Sequence, residues 1–121
     1  MPISRCNSAG FRILLGLALL LASIAMLSPG SGAPLPFWQA DKLVHAFTFA
    51  VLALLTDGAW PQQGFGRAKA LPLLGYGIAI ELLQTQIPKR GFELLDILAD
   101  ASGLLIYSAL VLPLLRRWKI R

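Results

Sequence analysis

Four long apolar segments make up most of this 121-residue chain. They cover residues 13–27, 43–60, 70–87 and 94–115, and short stretches rich in glycine, proline or polar residues separate them. An α-helix rises about 1.5 Å per residue, so about 20 residues cross the hydrocarbon core of a bilayer. The pattern therefore predicts an all-α, polytopic membrane protein with four transmembrane helices.

The first apolar segment allows two interpretations. The turn-forming run Ser28-Pro29-Gly30-Ser31-Gly32 ends it, and small residues follow at Gly32-Ala33. It is therefore either a retained helix, including a signal-anchor, or a signal peptide with residues 1–33 removed. We expect a retained helix. Residues 1–12 then form a cytoplasmic tail, residues 13–115 a single four-helix transmembrane domain, and residues 116–121 a basic cytoplasmic tail.

Composition strengthens the membrane interpretation and weakens others. The chain is 56% hydrophobic and 14% charged, whereas soluble domains are about 45–50% apolar and 25% charged. Its net charge is +5, but the basic residues lie at the ends of apolar segments instead of forming a polar reading face, so we expect no nucleic-acid partner. Cys6 is the only cysteine, which excludes an intrachain disulfide and a multi-cysteine metal motif.

The distribution of lysine and arginine predicts the orientation. With a cytoplasmic amino terminus and four spans, eight basic residues lie inside and three outside, which accounts for all eleven. The inner set is Arg5, Arg12, Arg67, Lys69, Arg116, Arg117, Lys119 and Arg121, and the outer set is Lys42, Lys89 and Arg90. This bias follows the positive-inside rule. It predicts a multi-pass protein of the bacterial inner (cytoplasmic) membrane with both termini in the cytoplasm.

Polar residues recur at helical spacing within three of the apolar segments. The pairs are Asp41 with His45, Glu81 with Gln84, and Asp96 with Asp100, and residues three or four apart share a helix face. Glu81 lies seven residues before Pro88, or about 10 Å below the outer turn. Ionisable residues at such depth are costly and usually functional. We therefore expect the three polar stripes to meet in an outward-facing pocket.

Imidazole beside carboxylates is suited to general acid–base catalysis. The candidate catalytic residues are His45, Glu81 and Asp96, and the candidate binding residues are Asp41, Lys42, Gln84, Arg90 and Asp100. The same groups can hold a divalent cation, although the sequence identifies neither a metal nor another cofactor. Simpler roles are open for several candidates: a helix cap for Asp41, an interaction with the helix dipole for Asp96, a polar contact between helices for His45, and an interfacial position for Arg90. Asp57 is interpreted as an interfacial charge, and Gly103 as a site of close helix packing.

Three sequence motifs, in this order, resemble the VanZ-like family of small bacterial membrane proteins. They are D-K-L-V-H-A-F-T-F from Asp41, E-L-L-Q from Glu81, and P-K-R-G-F-E-L-L-D-I-L-A-D-A-S-G from Pro88. The resemblance covers about the last two-thirds of the chain. Since the founding member of that family is associated with low-level teicoplanin resistance, the resemblance implies a role at the cell envelope. It brings no settled biochemical activity.

Two functional hypotheses follow. In the first, the pocket binds or modifies a lipid-linked or other cell-envelope component such as a cell-wall precursor, with the bilayer as its surroundings. In the alternative, the protein is a non-catalytic accessory protein whose polar residues hold the helix bundle together and whose outer turns bind a protein partner. Ion passage is a weaker third interpretation, because only Asp57 continues the polar stripes inward. The candidate residues fit an enzyme and also fit a protein that binds its ligand without catalysis.

Overall fold

All secondary-structure elements in the described part of the chain are helices. The computed structural model describes residues 8–27, 40–87 and 93–120, with the side chains of residues 40 and 41 left aside. The helices are α1 (Ser8–Leu27), α2 (Ala40–Ala59), α3 (Arg67–Gln84), α4 (Leu94–Ile106), a π-helical turn (Tyr107–Val111) and α5 (Leu112–Arg117). The predicted all-α class is confirmed for these residues.

Three of these helical segments are long and apolar enough to cross a membrane. They are Ser8–Leu27, Lys42–Ala59 and Leu94–Arg117, the last of which joins α4, the π-helical turn and α5. Helix α3 differs because its 18 residues include Arg67, Lys69 and Glu81. A membrane protein is thus supported by three spans, and the assignment of α3 as a fourth goes beyond this observation.

The helices begin and end a few residues away from the predicted apolar segments. Helix α1 starts at least five residues before Ile13 because its amino-terminal turns pack against the end of α2. The Arg12 guanidinium donates to the Ala59 carbonyl at 3.0 Å and lies 5.2 Å from the Trp60 ring centroid. Helix α3 starts at Arg67 because Lys69, which the sequence places in a loop, is buried within the protein.

The exterior of the protein is far more apolar than that of a soluble domain. Large aliphatic residues face outward on every long helix, including Leu21, Val44, Leu82 and Leu105, each more than half exposed. The buried set instead includes His45, Asp57, Lys69, Glu81, Gln84, Asp96 and Asp100. An apolar exterior around a polar interior suits a lipid environment, where polar groups avoid the hydrocarbon by facing the bundle interior.

Helix α2 is the centre of the bundle and packs against α1, α3 and α4. Its approach to α4 is closest at Gly103, where an added Cβ would lie 2.2 Å from the Ala46 carbonyl oxygen. This confirms the prediction that Gly103 permits close helix packing. Phe49 is fully buried one turn below His45, and its ring centroid lies 6.0 Å from that of Tyr76 on α3.

The π-helical turn interrupts the long carboxy-terminal helix before Pro113. A proline ring clashes with the carbonyl four residues earlier, here that of Ala109, and local π geometry relieves such clashes in transmembrane helices. Tyr107 and Leu112, at the two sides of the turn, are both buried. The wider turn thus keeps the same side of the helix against the bundle.

Candidate functional site

Three helices bring His45, Glu81 and Asp96 together. One ligand-type atom from each, a ring nitrogen of His45 and a carboxylate oxygen of each acid, lies within 4.8 Å of the other two. All three residues are buried, and Glu81 has no exposed surface. The residues predicted as catalytic are therefore neighbours, as the spacing of the polar stripes on α2, α3 and α4 predicts.

Asp100 fixes the orientation of the His45 ring. Its Oδ1 lies 2.9 Å from His45 Nδ1, within hydrogen-bonding distance. With Nδ1 held in this way, Nε2 lies on the side of Asp96, 3.8 Å from Asp96 Oδ2. Gly77 on α3 makes room for Asp100, because an added Cβ there would lie 2.5 Å from Asp100 Oδ2.

Lys42 closes the outer side of the site. Its amino group donates to Asp96 Oδ1 and to Glu93 Oε2. Glu93 is the more exposed of the two acids, with 56% of its side-chain surface accessible, whereas Asp96 retains 9%. Lys42, predicted as a binding residue, therefore neutralises Asp96 from the surface side and fixes one of its two oxygens.

Glu81 is only half satisfied in its buried position. Its Oε2 accepts a hydrogen bond of 3.1 Å from the backbone N–H of Glu93, which links α3 to the start of α4. Its Oε1 has no hydrogen-bond partner among the described residues. Burying a polar atom without a partner is unfavourable by about 1–3 kcal/mol. Such a cost in the middle of a polar cluster indicates a site adapted for a ligand or a reaction.

The remaining predicted residues are placed as follows. The Gln84 side-chain amide donates to the Met26 carbonyl at 2.8 Å, so it joins α3 to the end of α1. The Asp41 side chain and Arg90 lie outside the described residues, and so does Lys89. The described site therefore consists of a histidine, three buried carboxylates and Lys42, with Glu93 at its rim.

This arrangement favours proton transfer or cation binding. Four carboxyl groups share the site with His45, and Lys42 is the cation that pairs with them in the described part of the chain. Such an excess of carboxyl groups favours a bound proton or metal cation. The imidazole held by Asp100 has the geometry of a general base, since a carboxylate on one ring nitrogen orients the other and stabilises the imidazolium.

A second polar cluster lies at the other end of α2 and is missed by the sequence analysis. Lys69 Nζ lies 2.7 Å from Asp57 Oδ1, and the Tyr107 hydroxyl donates to Asp57 Oδ2. Lys69 also donates to the Trp60 and Gln63 carbonyls at 2.9 and 2.7 Å. Asp57 is fully buried, so its interpretation as an interfacial charge is wrong. The opposite charges flanking the α2–α3 connection were the available signal.

An apolar groove runs beside the first cluster. It has a volume of about 440 Å³ between α2 and α4 and is lined mainly by Leu43, Ala46, Leu95 and Leu98, with Lys42 at its wall. A separate cavity of about 390 Å³ lies between α1 and α3, near Lys69. The groove connects an exposed lipid-facing surface with the cation nearest the candidate site.

Comparisons with known proteins add no relative. No protein-family model, curated protein or solved structure matches the chain. The functional assignment therefore depends on the chemistry of the site, on the apolar exterior that surrounds it and on the motifs carried by the sequence.

Proposed function

We propose that this chain is a VanZ-like inner-membrane protein whose outward-facing polar pocket binds or modifies a lipid-linked component of the cell envelope. The observation that carries the proposal is the convergence of His45, Glu81 and Asp96 from three helices into one buried cluster. Purely structural polar contacts would satisfy their hydrogen bonds, yet Glu81 Oε1 has no partner among the described residues. A functional role explains why this cost is retained.

In the catalytic form of the proposal, His45 transfers the proton. Nε2 accepts it from a substrate hydroxyl or from water, and Asp100, hydrogen-bonded to Nδ1, stabilises the resulting imidazolium. Glu81 is the second proton acceptor. Lys42 and Arg90 bind the anionic headgroup, Arg90 by the bidentate contacts that guanidinium makes with phosphate. Asp41 and Gln84 orient their neighbours.

The groove between α2 and α4 supports a lipid-linked substrate. Its wall is almost entirely aliphatic, which suits a hydrocarbon chain, and Lys42 lies where an anionic headgroup would be next to the buried acids. A water-soluble metabolite gains little from such a wall. A chain in the groove and a headgroup at Lys42 would bring the bond to be altered close to His45.

The proposed topology has four spans with both termini in the cytoplasm. Two observations support keeping α1 as a helix and counting α3 as a span. Helix α1 packs against both α2 and α3, and the charged residues of α3 face the protein interior at Lys69 and Glu81. The excess of basic residues on the inner side gives the orientation, which places the His45 cluster toward the outer face.

The test is binding of envelope lipids by the purified full-length chain in lipid nanodiscs. A panel of polyprenyl phosphate, a polyprenyl-linked cell-wall precursor and ordinary phospholipids is measured by native mass spectrometry. We expect selective retention of a polyprenyl-linked lipid by the wild type and a loss of at least tenfold in His45→Gln and Glu81→Gln. The double variant Asp57→Asn/Lys69→Met is the matched control, since it removes a buried carboxylate together with its cation. Asp57 lies twelve residues from His45 in α2, about 18 Å along the helix.

Equal retention of all lipids by the wild type, or unchanged selectivity in both site variants, would refute the proposal. The connection with glycopeptide (teicoplanin) resistance is tested separately. Bacteria expressing the wild type are compared with bacteria expressing His45→Gln at matched protein levels. A higher inhibitory concentration for the wild type alone supports the connection, and identical concentrations exclude it for this chain.

The second cluster favours the alternative of a non-catalytic accessory protein. The Asp57 carboxylate has a donor on each oxygen, from Lys69 and Tyr107, as expected for interhelical contacts that only hold a bundle together. If the His45 cluster has the same purpose, its variants should lose stability before function, and a copurifying protein partner should bind the outer turns. Crosslinking in cells from the turn near Thr85 would detect such a partner.

A further inference from the structure

We propose that His45, Glu81 and Asp96 bind one divalent metal ion, Zn²⁺, as the cofactor of the candidate site. The inference deepens the proposed function and rests on it for the role of the ion. A nitrogen of His45 and one oxygen from each acid lie within 4.8 Å of one another. Ligands about 2.0–2.2 Å from a tetrahedral zinc lie roughly 3.3–3.6 Å apart. The three side chains therefore need to close by no more than about 1.5 Å from their upper limit of 4.8 Å.

In each of the three side chains, one polar atom is held by a hydrogen bond and the other is available as a ligand. His45 Nδ1 is held by Asp100 Oδ1 at 2.9 Å, and Asp96 Oδ1 accepts from Lys42. Glu81 Oε2 accepts from the Glu93 N–H at 3.1 Å. This leaves His45 Nε2, Asp96 Oδ2 and Glu81 Oε1 as the ligand atoms.

Glu81 Oε1 provides the independent evidence for a ligand. It belongs to a residue with no exposed surface and has no hydrogen-bond donor in the described part of the chain, and the Asp96 carboxylate beside Glu81 is another acceptor. Carboxylate oxygens in protein interiors are normally paired with a donor or a cation. A metal ion between the three groups would supply the missing partner, and the two ligating carboxylates would balance its double charge.

The distance between His45 Nε2 and Asp96 Oδ2 also supports a shared metal ion. At 3.8 Å it is too long for a hydrogen bond, but it is close to the separation of two ligands that share an ion. The hydrogen bond from Asp100 to the other ring nitrogen completes the carboxylate–histidine–metal arrangement that orients metal-bound imidazole. Asp100 is thus a positioning residue.

The ligand types select zinc. Purely oxygen-coordinated sites suit Mg²⁺ and Ca²⁺, whereas one imidazole with two carboxylates suits a borderline ion, and Zn²⁺ binds such sets more tightly than Mn²⁺ or Fe²⁺. Three protein ligands leave a coordination position free, as in catalytic zinc sites. A phosphate oxygen of the proposed lipid-linked substrate, or water, would occupy that position, and the double charge of the ion would reduce the repulsion between the acids and the headgroup.

The test measures Zn²⁺ binding by the full chain purified in detergent, stripped with a chelator and dialysed. We expect one Zn²⁺ per chain by elemental analysis and by competition with a chromogenic chelator. Glu81→Gln, Asp96→Asn and His45→Gln should weaken binding by at least 100-fold, and Asp100→Asn by about 10–100-fold as expected for a group that orients a ligand. The double variant Asp57→Asn/Lys69→Met is the matched control, because it removes a buried carboxylate together with its cation in the second cluster, and it should bind as the wild type does.

Far-UV circular dichroism and gel filtration establish that each variant is folded before its affinity is interpreted. Wild-type protein without stoichiometric Zn²⁺, or triad variants that bind as well as Asp57→Asn/Lys69→Met, would overturn the proposal. Binding of Mn²⁺ or Mg²⁺ in preference to Zn²⁺ would overturn the choice of metal. Lipid selectivity without zinc binding would refute only the proposed metal site. Zinc binding without lipid selectivity would refute only the proposed function.

Discussion

The substitution Gly103→Ala should weaken the bundle at the point where α2 and α4 meet. An added Cβ would lie 2.2 Å from the Ala46 carbonyl oxygen and 3.0 Å from both Ala50 N and Phe49 Cβ. Two of these atoms belong to the backbone of α2 and cannot rotate away. Ordinary contact begins at 3.4 Å, so the two helices must separate locally by about 1.2 Å, the difference between 3.4 and 2.2 Å.

The magnitude follows from two effects. Overpacking of this kind costs about 1–3 kcal/mol. The separation also acts on the hydrogen bond between His45 and Asp100, which lie one residue before Ala46 and three before Gly103. Lengthening a 2.9 Å contact by that amount would break it, and a hydrogen bond to a charged group contributes about 1.5–3 kcal/mol. The two effects together amount to about 2.5–6 kcal/mol. Alanine is favoured over glycine within a helix by about 0.5–1 kcal/mol, so we expect the free energy of unfolding to fall by about 2–5 kcal/mol.

Gly75→Ala is the matched control, because Gly75 also lies within a helix but an added Cβ there meets nothing within 4 Å. Replacing glycine by alanine in an open helical position stabilises a helix by about 0.5–1 kcal/mol. Unfolding of both variants by an SDS titration in mixed micelles, followed by circular dichroism, gives the comparison. If Gly103→Ala is as stable as Gly75→Ala, the inferred contact between α2 and α4 is wrong.

Three further predictions concern the buried polar residues, and each is measured by the same titration. Tyr107→Phe removes the donor to Oδ2 of the buried Asp57 carboxylate and should lower the free energy of unfolding by about 1.5–3 kcal/mol; no change would mean that another donor replaces it. Lys69→Met leaves Asp57 without its cation and should cost about 3–5 kcal/mol, much of which the double variant with Asp57→Asn should recover; a double variant no more stable than Lys69→Met would argue against the pair. Glu81→Gln removes a charge that is buried with one unpartnered oxygen and should leave stability unchanged or raised, as is usual when a costly functional group is neutralised; a clear loss would mean that the group holds the helices together.

Much of the fold could be predicted because lipid-facing helices have long apolar segments in the sequence. Apolar segments of membrane-crossing length gave the helices to within a few residues at most ends. The stripes also had a simple physical basis: residues four apart share a face, and charged groups avoid lipid. Those two rules suffice to bring His45 to Asp100 and Glu81 to Asp96. Gly103 was predictable for the same reason, since close packing in membranes favours small residues.

The second cluster shows where such rules stop. Asp57 and Lys69 each lie near the end of a helix, where a charge can equally remain at the interface. Tyr107 is an isolated aromatic residue in an apolar segment, and its partner lies 50 positions away, so no local spacing reveals the contact. The sequence likewise does not predict that only one oxygen of Glu81 accepts a hydrogen bond, because this depends on which oxygen the Glu93 backbone N–H reaches.

The π-helical turn at Tyr107–Val111 gives the two parts of the last helix a fixed rotational offset. One additional residue in a helix turns everything beyond it by about 100° relative to an uninterrupted α-helix. The turn therefore determines which way the basic end with Arg116 and Arg117 faces relative to Asp96 and Asp100. Deleting one residue of this turn would re-aim the basic end, while the two acids before the turn would still face His45.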